Sequence, residues 1–289
     1  MKYWCMFNPV SGRGAGLATA HQIQAALQNA GCSVSLLETD PDPAAFRQHC
    51  AVVAPEDRVI VIGGDGTFRH VLNAAPANAG FAFFGMGTAN VITIEFDLPK
   101  SIEAFVAMVL AGHTRRLYPG RTDDGSLFLM MVSLGLDAAV LRDVPQWLKN
   151  RIGKAAFAWS LLRGLFTYAY PPMTLELADG TRCRATWVLV SRFRHYGGAY
   201  LVAPERGVDD RCFTVLTVGE KPRRTMLRLL WRTWRGTHRE EPGLRHFEST
   251  TVRFHQGATM APAQMDGDLF SPGVQFLEVV EKPILLLVP

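Results

Sequence analysis

A glycine-rich turn at residues 63–67 is the strongest chemical signal in the sequence. The segment Gly63-Gly64-Asp65-Gly66-Thr67 follows the apolar run Val59–Ile62 and precedes a helical pattern that begins at Phe68. Glycines let the backbone approach a ligand closely, and the amino terminus of a following helix attracts anions, so phosphate is the expected ligand. Asp65 would repel a phosphate unless a metal ion or a proton intervenes. A plain strand-to-helix turn with an exposed Asp65 is the alternative interpretation.

Two more turns of this kind follow other apolar runs. Residues 8–14 (Asn-Pro-Val-Ser-Gly-Arg-Gly) follow Tyr3–Phe7, and residues 85–90 (Gly-Met-Gly-Thr-Ala-Asn) follow Phe81–Phe84. Ligands of open α/β sheets bind outside the carboxyl ends of the parallel strands, which meet at one edge. The three turns therefore predict one extended phosphate or nucleotide site, and three unrelated turns are the weaker interpretation.

The first hundred residues alternate short apolar runs with helical patterns, which predicts a parallel sheet with right-handed crossovers. A helix is predicted from Ala15 to Ala30, because this stretch is rich in Ala, Gln and Leu and is followed by Gly31. The predicted strands are Tyr3–Phe7, Val34–Leu37, Val59–Ile62 and Phe81–Phe84.

After Gly112 the pattern changes to short apolar runs separated by turn signals, which predicts a second, mainly antiparallel domain. Asp124-Gly125 and Asp179-Gly180 have the composition of hairpin turns. Helical insertions are expected near residues 145–169 and 222–236. The apolar runs are Leu127–Val132, Thr174–Leu177, Trp187–Val190, Phe213–Val218 and Ile284–Val288.

Taken in order, the motifs resemble those of the diacylglycerol kinase catalytic-domain family, which includes bacterial diacylglycerol kinases, sphingosine kinases and ceramide kinases. The resemblance covers nearly the whole chain, although Gly-Gly-Asp-Gly-Thr alone also suits the related NAD kinases. The matching segments are Asn8-Pro9-x-Ser11-Gly12, Gly63–Thr67, Gly87-Thr88-Ala89-Asn90, Ser133–Asp137, Gly197-Gly198 to Pro204, Asp209-Asp210 and Asp266-Gly267-Asp268.

This resemblance implies two domains that face each other across a cleft. Residues 1–112 would form an α/β nucleotide-binding domain with a parallel sheet. Residues 113–289 would form a mainly antiparallel β-sandwich for the lipid substrate, with an extreme carboxyl terminus that can pack back on the first domain. The residues implied in ATP binding are Asn8, Ser11, Gly12, Arg13, Thr39, Gly63, Gly64, Asp65, Gly66, Thr67, Phe68, Arg69, Gly87, Thr88 and Asn90.

Three carboxylates are implied in catalysis, namely Asp65, Asp266 and Asp268. Phosphoryl transfer needs magnesium on the ATP phosphates, amides around them and a base near the acceptor hydroxyl. Without the resemblance, Asp266-Gly267 would be interpreted as a hairpin turn. Asp137 is either a secondary acid near the cleft or a helix N-cap.

The sequence departs from the family pattern at three positions. Val91 stands where the family has Asp, and Asp268 stands where it has Glu, one methylene longer. Arg211 replaces the glycine of an Asp-Asp-Gly motif that closes a structural magnesium loop. The ligands implied for that loop are Asp210 and the main-chain carbonyls of Gly207 and Cys212.

Composition indicates a compact globular protein, since 48% of the 289 residues are hydrophobic and 19% are charged. Five cysteines without a close pair fit neither a disulfide framework nor a zinc site, and they favour a reducing, cytoplasmic compartment. No apolar run reaches the roughly 18 residues that would predict a membrane span.

The segment 221–239 holds seven Lys or Arg residues and no acid, although the formal net charge of the chain is only +4. A helical projection places Met226, Leu227, Leu230, Trp231 and Trp234 on one arc and the arginines on another. Such a helix is typical of an anionic lipid interface, and packing of its apolar arc into the domain core is the alternative. So local an excess of charge does not favour a nucleic-acid partner.

The sequence thus predicts a lipid kinase that binds the inner face of the membrane peripherally. It would transfer the γ-phosphoryl group of ATP, with Mg²⁺, to a hydroxyl of a diacylglycerol-like or ceramide-like or sphingoid-like lipid. An NAD kinase-like kinase of a soluble acceptor and a non-catalytic nucleotide-binding or lipid-binding module are the alternatives.

Overall fold

The computed structural model describes residues 1–76, 79–143, 154–198, 200–203, 209–219, 222–235, 237, 241–256, 261–270 and 273–289, with the main chain alone at 154–158, 234 and 256. The chain forms two compact units. The first consists of Met1–Pro119, Gly197–Ala199 and Glu281–Pro289, and the second of Gly120–Tyr196 and Tyr200–Val280.

The first unit is built on one six-stranded sheet. Its strands are β1 (Tyr3–Phe7), β2 (Val34–Glu38), β3 (Arg58–Gly63), β4 (Gly80–Gly85), β5 (Thr114–Leu117) and β20 (Ile284–Leu287). The strand order is β2-β1-β3-β4-β20-β5, and every pair is parallel except β20 with β5. The predicted parallel sheet and its four predicted strands are confirmed.

Six helices of the described residues belong to the first unit. They are α1 (Ser11–Gly14), α2 (Gly16–Asn29), α3 (Pro43–His49), α4 (Asp65–Leu72), α5 (Val91–Glu95) and α6 (Ile102–Ala111), with a short 3₁₀ turn at Cys50–Val52. The predicted helix over 15–30 is confirmed as α2, which buries Ala20, Ile23 and Leu27 and is followed by Gly31 at φ +83°. The central strands β3 and β4 are buried along almost their whole length, so they form a firm base for the turns that follow them.

The second unit is a sandwich of two antiparallel sheets, as predicted. Its strands are β6 (Gly120–Thr122), β7 (Leu127–Phe128), β8 (Met131–Leu134), β9 (Met173–Leu177), β10 (Arg182–Ala185), β11 (Trp187–Ser191), β12 (His195–Tyr196), β13 (Tyr200–Leu201), β14 (Phe213–Val218), β15 (Leu244–Ser249), β16 (Thr251–Gln256), β17 (Ala263–Met265), β18 (Asp268–Phe270) and β19 (Phe276–Val279). One sheet has the order β10-β9-β16-β19-β6-β7 and the other β15-β14-β11-β8-β17-β18. A core that includes Phe128, Leu175, Val190, Val215 and Leu277 fills the space between them.

The predicted strand over 127–132 is interrupted, because β7 belongs to one sheet and β8 to the other. Between the two strands, the main-chain amides of Leu129 and Met130 donate to the side chain of Asp266. The predicted hairpin turns are confirmed, with Gly125 at φ +86° between β6 and β7 and Gly180 at φ +82° between β9 and β10.

Helices α7 (Leu136–Asp143), α8 (Lys154–Thr167) and α9 (Pro222–Trp234) belong to the second unit. The helical insertions predicted near 145–169 and 222–236 correspond to α8 and α9, while residues 144–153 lie outside the described part of the chain. None of the helices found in the described segments has the length and apolar character needed to cross a bilayer.

Candidate active site

The three glycine-rich turns lie at one edge of the first sheet, where main-chain hydrogen bonds connect neighbouring strand ends. The amide of Thr39, after β2, donates to the carbonyl of Phe7 at 3.0 Å, and the amide of Asn8 donates to the carbonyl of Ile62 at 3.1 Å. The amide of Met86 donates to the carbonyl of Gly63 at 2.7 Å. The backbones that follow β2, β1, β3 and β4 therefore form one continuous rim.

Glycine is required where the turns touch. A Cβ atom on Gly87 would lie 2.8 Å from the Cα atom of Gly64, and a Cβ atom on Gly12 would lie 2.5 Å from the methyl group of Met86. At Gly63, a Cβ atom would collide with the side chain of Thr67 at 2.6–2.8 Å. The second and third turns thus meet through main chain at Gly64 and Gly87, and this part of the rim can present amides to an anion.

The first turn has an unusual conformation within α1. Gly12 and Arg13 are both left-handed, with φ +61° and ψ between +34° and +37°. This region is uncommon for a residue with a side chain, and such conformations concentrate at ligand-binding loops. Arg13 is exposed and Ser11 is half-buried, so both are accessible at the rim.

Asp65 connects the second turn to the third. Its carboxylate accepts hydrogen bonds from the amides of Val91 at 3.0 Å and Ile92 at 3.2 Å, at the start of α5. Burial raises the pKa of the Asp65 carboxyl above its ordinary value, and the hydrogen bonds from these amides act in the opposite direction. Asn90, left-handed at φ +48°, accepts a hydrogen bond from the amide of Gly87 at 2.7 Å. The acid is thus engaged in shaping the third turn.

The remaining residues implied in nucleotide binding divide between the rim and the core. Thr88 is exposed, and Gly66 and Arg69 are half-buried on α4. Phe68 faces the core, where its ring packs edge-on against Phe83, and its amide is bonded to the carbonyl of Gly64 at 3.1 Å. Phe68 therefore holds α4 on the sheet and leaves ligand contact to its neighbours.

Asp266 and Gly267 form a two-residue hairpin turn between β17 and β18, as the hairpin interpretation predicted, and Asp268 is the first residue after it. Asp266 and Gly267 both have positive φ, +51° and +89°, which is typical of a type I′ turn. The carboxylate of Asp266 is buried and accepts three main-chain hydrogen bonds, each 2.9 Å long, from Leu129, Met130 and Met131. Asp268, by contrast, is exposed.

A buried chain of polar side chains supports this turn. Asp137 lies in the first turn of α7, 7% exposed, and its carboxylate accepts hydrogen bonds from the hydroxyl groups of Ser133 and Tyr196 and from the indole of Trp187. Asp137 is therefore a buried acceptor within the first turn of α7, neither an exposed acid nor the N-cap residue. The hydroxyl oxygen of Ser133 in turn accepts a hydrogen bond from the amide group of Gln264 at 2.8 Å.

Gln264 completes the connection, because its carbonyl oxygen accepts a hydrogen bond from the amide of Gly267 at 2.9 Å. The sequence did not identify four of these hydrogen-bonded residues as site residues, namely Ser133, Trp187, Tyr196 and Gln264. The occurrence of Ser133 and Asp137 in one motif indicated that these two residues could act together, as their hydrogen bond shows. Nothing in the sequence distinguishes Gln264 from an ordinary strand residue.

In the described part of the loop proposed for structural magnesium, two main-chain carbonyls already have a cationic partner. Arg192 is 5% exposed, and its guanidinium donates hydrogen bonds to the carbonyl oxygens of Asp210 and Cys212. The expected carbonyl ligand from Cys212 is therefore occupied by a positive group, which would repel Mg²⁺. Gly207 lies outside the described residues. Within the described ranges, no group of three or more His, Cys, Asp or Glu residues is arranged to hold a metal ion.

Comparison with protein families agrees with this geometry. Residues 2–122 match the diacylglycerol kinase catalytic domain, and residues 130–288 match the YegS C-terminal NAD kinase β-sandwich-like domain. The chain belongs to the diacylglycerol kinase family. The resemblance found in the motifs and the prediction of a lipid kinase are confirmed by these matches and by the relatives that share them.

Two curated relatives of this diacylglycerol kinase family member illustrate the similarity. A diacylglycerol kinase of Mycobacterium tuberculosis is 27% identical over 298 residues, which cover 100% of this chain and 95% of the relative. A diacylglycerol kinase of Staphylococcus epidermidis is 22% identical over 268 residues, which cover 91% of this chain and 84% of the relative.

Solved structures share the fold of both units. A Bacillus anthracis protein superimposes with a TM-score of 0.82 at 19% identity, covering 100% of this chain and 95% of that one. Yeast NADH kinase, solved with NADH, gives a TM-score of 0.53 at 11% identity, covering 100% of this chain and 84% of that one. The predicted fold class, a parallel α/β domain followed by an antiparallel sandwich, is confirmed.

Proposed function

We propose that this protein transfers the γ-phosphoryl group of MgATP to the hydroxyl of a diacylglycerol-like lipid, with ceramide-like and sphingoid-like lipids as further candidates. The observation that carries the proposal is the continuous main-chain rim formed by the three glycine-rich turns. A polyphosphate needs many amides at short range and little side-chain bulk, and this rim supplies both.

The roles of the rim residues follow from their positions. The turns around Gly12, Gly64 and Gly87 would cradle the phosphates, and Thr39 and Thr88 would contact the rest of the nucleotide. Arg13 is exposed at the rim and would offset phosphate charge. Mg²⁺ enters as part of the MgATP substrate, where it neutralises the charge that develops between the β- and γ-phosphates.

Asp268 is the best candidate for the general base. The carboxylates of Asp65 and Asp266 each accept hydrogen bonds from main-chain amides of another segment, and Asp268 lies at the surface, where it is accessible to a substrate. The carboxylate would take the proton of the lipid hydroxyl while the hydroxyl oxygen attacks the γ-phosphorus, so that the phosphoester bond forms as the bond to ADP breaks. The chain from Asp137 through Ser133 and Gln264 to Gly267 would hold the base in position.

Helix α9 supports a further part of the proposal, which is peripheral binding to an anionic membrane. The sequence predicted one apolar arc of Met226, Leu227, Leu230, Trp231 and Trp234. The structure divides its members between the interior and the surface, and the side chain of Trp234 lies outside the described residues. Met226 and Leu229 are buried, whereas Leu227, Leu230 and Trp231 are 49%, 36% and 55% exposed. Exposed tryptophan and leucine beside arginines favour contact with a lipid interface. Use of ATP would assign this contact to the inner face of the membrane.

The proposal is tested by incubating the purified protein with labelled ATP and Mg²⁺. The acceptors are vesicles that contain dioleoylglycerol, ceramide or sphingosine, and NAD in solution. We expect label in the dioleoylglycerol product, and no label when the lipid is omitted. Transfer to NAD alone would identify a kinase of a soluble acceptor, and ATP binding without any transfer would identify a nucleotide-binding module. Either result would contradict the proposed reaction.

The assignment of the base is tested by a matched pair of variants in one turn. Asp268→Asn should lower kcat by about 10² to 10⁴ and leave the melting temperature unchanged, because the residue is exposed. Asp266→Asn should lower the unfolding free energy by about 1–3 kcal/mol. Three main-chain amides donate to the two oxygens of Asp266, and Asn replaces one of these oxygens with an NH₂ group that cannot accept. An Asp268→Asn enzyme with normal kcat would exclude Asp268 as the base.

A further inference from the structure

The second unit contains an open groove of about 1160 Å³ with an unusual concentration of arginine. Its walls come from the segment that follows α8, the end of β10, the first turns of α9 and the start of β15. The charged residues that line it are Arg184, Arg223, Arg224, Arg228, Arg245 and Glu241. The groove thus brings together five guanidinium groups and one carboxylate from three regions of the sequence, at 184, 223–228 and 241–245.

Glu241 compensates for only some of the local positive charge. It is 3% exposed, and its carboxylate lies 3.3 Å from Nε of Arg232 and 3.8 Å from a terminal nitrogen of Arg228. In the part of the chain that the structure describes, no ion pair joins Arg184, Arg223 or Arg224 to a carboxylate. Excess positive charge inside a concave surface raises the local concentration of anions.

The groove is separate from the catalytic turn of the same unit. The main-chain amide of Asp266 donates a hydrogen bond to the carbonyl of Met131. In the sheet, Met131 is paired with Ser191, and Ser191 is paired with Thr214 near the start of β14. Gly219, in the wall of the groove, follows Val218 at the other end of β14. The four steps from Thr214 to Val218 span about 13 Å at about 3.3 Å per residue. A ligand in the groove would therefore not occupy the site of phosphoryl transfer on this unit.

We propose that the convergence of Arg184, Arg223, Arg224, Arg228 and Arg245 on this groove makes it a binding site for the phosphate group of a phosphoester, additional to the nucleotide phosphate turns. Guanidinium groups match the oxygens of a phosphate through paired hydrogen bonds, and several of them together favour a phosphate over a single carboxylate. The groove volume of about 1160 Å³ can hold a lipid headgroup or a small phosphate ester. The proposal does not depend on the kinase reaction.

A lipid is favoured over a soluble ester as the source of this phosphate. Helix α9 contributes Arg223, Arg224 and Arg228 to the groove, and the same helix exposes Leu227 and Trp231. A helix that offers cations and exposed apolar side chains together is suited to a headgroup beneath a bilayer surface. The test therefore includes both sources.

The experiment compares the wild-type protein with an Arg223→Gln/Arg224→Gln/Arg245→Gln variant. All three side chains are exposed, so the substitutions should leave the fold intact, and equal melting temperatures verify this. The matched control is Arg182→Gln, on the same strand as Arg184 but outside the groove and paired with Glu176 at 2.8 Å. Should the triple variant melt early, the single Arg224→Gln substitution replaces it.

The measurement is flotation with phosphatidylcholine vesicles that contain or lack phosphatidic acid, together with calorimetric titration with glycerol 3-phosphate. We expect binding to phosphatidic acid vesicles to weaken by about 10²-fold in the triple variant and to be unchanged in Arg182→Gln. Binding of glycerol 3-phosphate alone, lost in the triple variant, would support the site with a soluble ester as its source. Equal binding by wild type and triple variant, or equal binding to vesicles without phosphatidic acid, would overturn the proposal, whatever the kinase assay shows.

Discussion

The turn rim of the first unit and the arginine groove of the second are both suited to phosphate, but they are built from different parts of the chain. The rim uses main-chain amides. It has no room for a side chain at Gly87, where a Cβ atom would lie 2.8 Å from the Cα atom of Gly64. The groove uses guanidinium groups that come from two strands and a helix. A main-chain site demands glycine at each contact and so leaves a motif in the sequence. A side-chain site only needs cations that converge, and it leaves no motif.

The largest effect should follow from adding one methyl group to the rim. Gly87→Ala forces the second and third turns apart, because its Cβ atom would lie 2.8 Å from the main-chain Cα atom of Gly64 as well as 2.8 Å from Oδ1 of Asn90. We expect kcat/KM for ATP to fall by about 10²-fold, as displacement of a reacting group by about 1 Å can cause. Binding at the groove should not change.

The control for this substitution lies on β4, the strand that precedes the third turn. A Cβ atom on Gly80, at the start of β4, would meet only the far end of the Arg58 side chain, which can move. Gly80→Ala should therefore keep nearly full activity. Similar kinetics for both variants would show that the close contact between turns is not needed for phosphoryl transfer.

The next effect concerns the carboxylate that joins two turns. Asp65→Ala removes the acceptor for the amides of Val91 and Ile92, and we expect the unfolding free energy to fall by about 1–3 kcal/mol. Asp42→Ala is the comparison, since Asp42 is exposed and caps α3 through one hydrogen bond to Ala44, and it should cost about 1 kcal/mol or less. Urea unfolding measures both. A smaller loss for Asp65→Ala than for Asp42→Ala would contradict this description of the rim.

The same carboxyl group should make stability depend on pH. Burial raises the folded-state pKa of Asp65 above its ordinary value of 3.8. A raised folded-state pKa gives stability that is complete below the unfolded pKa and is lost as pH rises through the folded pKa. The unfolding free energy of wild type relative to Asp65→Asn should therefore decrease as pH rises from below 3.8 through that raised value. A relative increase over this window would show that the hydrogen bonds outweigh burial.

A smaller effect should distinguish guanidinium from charge alone in the groove. Arg224→Lys keeps the positive charge but loses paired hydrogen bonding, so binding to phosphatidic acid vesicles should weaken by only a few-fold. Raising the salt concentration should weaken groove binding further, because the groove is open to solvent and its charges are screened. Binding that is insensitive to both changes would point to the apolar face of α9 as the main attachment.

No effect is expected when divalent cations are removed from the nucleotide-free protein. Arg192 already donates to the carbonyls of Asp210 and Cys212, so EDTA should leave the melting temperature unchanged and added Mg²⁺ should not raise it. Arg192→Gln should lower the melting temperature, because two carbonyl groups lose a charged donor. If Mg²⁺ clearly raised the melting temperature of the wild-type protein, the result would support the hypothesis that this loop binds magnesium.

What could be predicted from the sequence depended on which interactions were local. Strands β1 to β4 and helix α2 were predictable because burial on both faces and a terminal glycine leave continuous apolar runs and clear ends. The rim followed from the glycines of three turns. The capping of α5 by Asp65 and the support of Gly267 by Gln264 could not be predicted, because each joins positions that only the folded sheet brings together. The hydrogen bond from the guanidinium of Arg192 to the main-chain carbonyl of Cys212 could not be predicted for the same reason.

Strand β20 lies between β4 and β5, so β5 reaches the rest of the first sheet only through residues 284–287. During synthesis, the sheet that carries the glycine-rich turns cannot reach its full width until every strand of the sandwich has been translated. Pairing over so great a sequence separation slows folding, and it exposes the edge of β4 in the nascent chain. A ribosome-bound fragment that ends before β20 should therefore be a better substrate for chaperones than the finished protein.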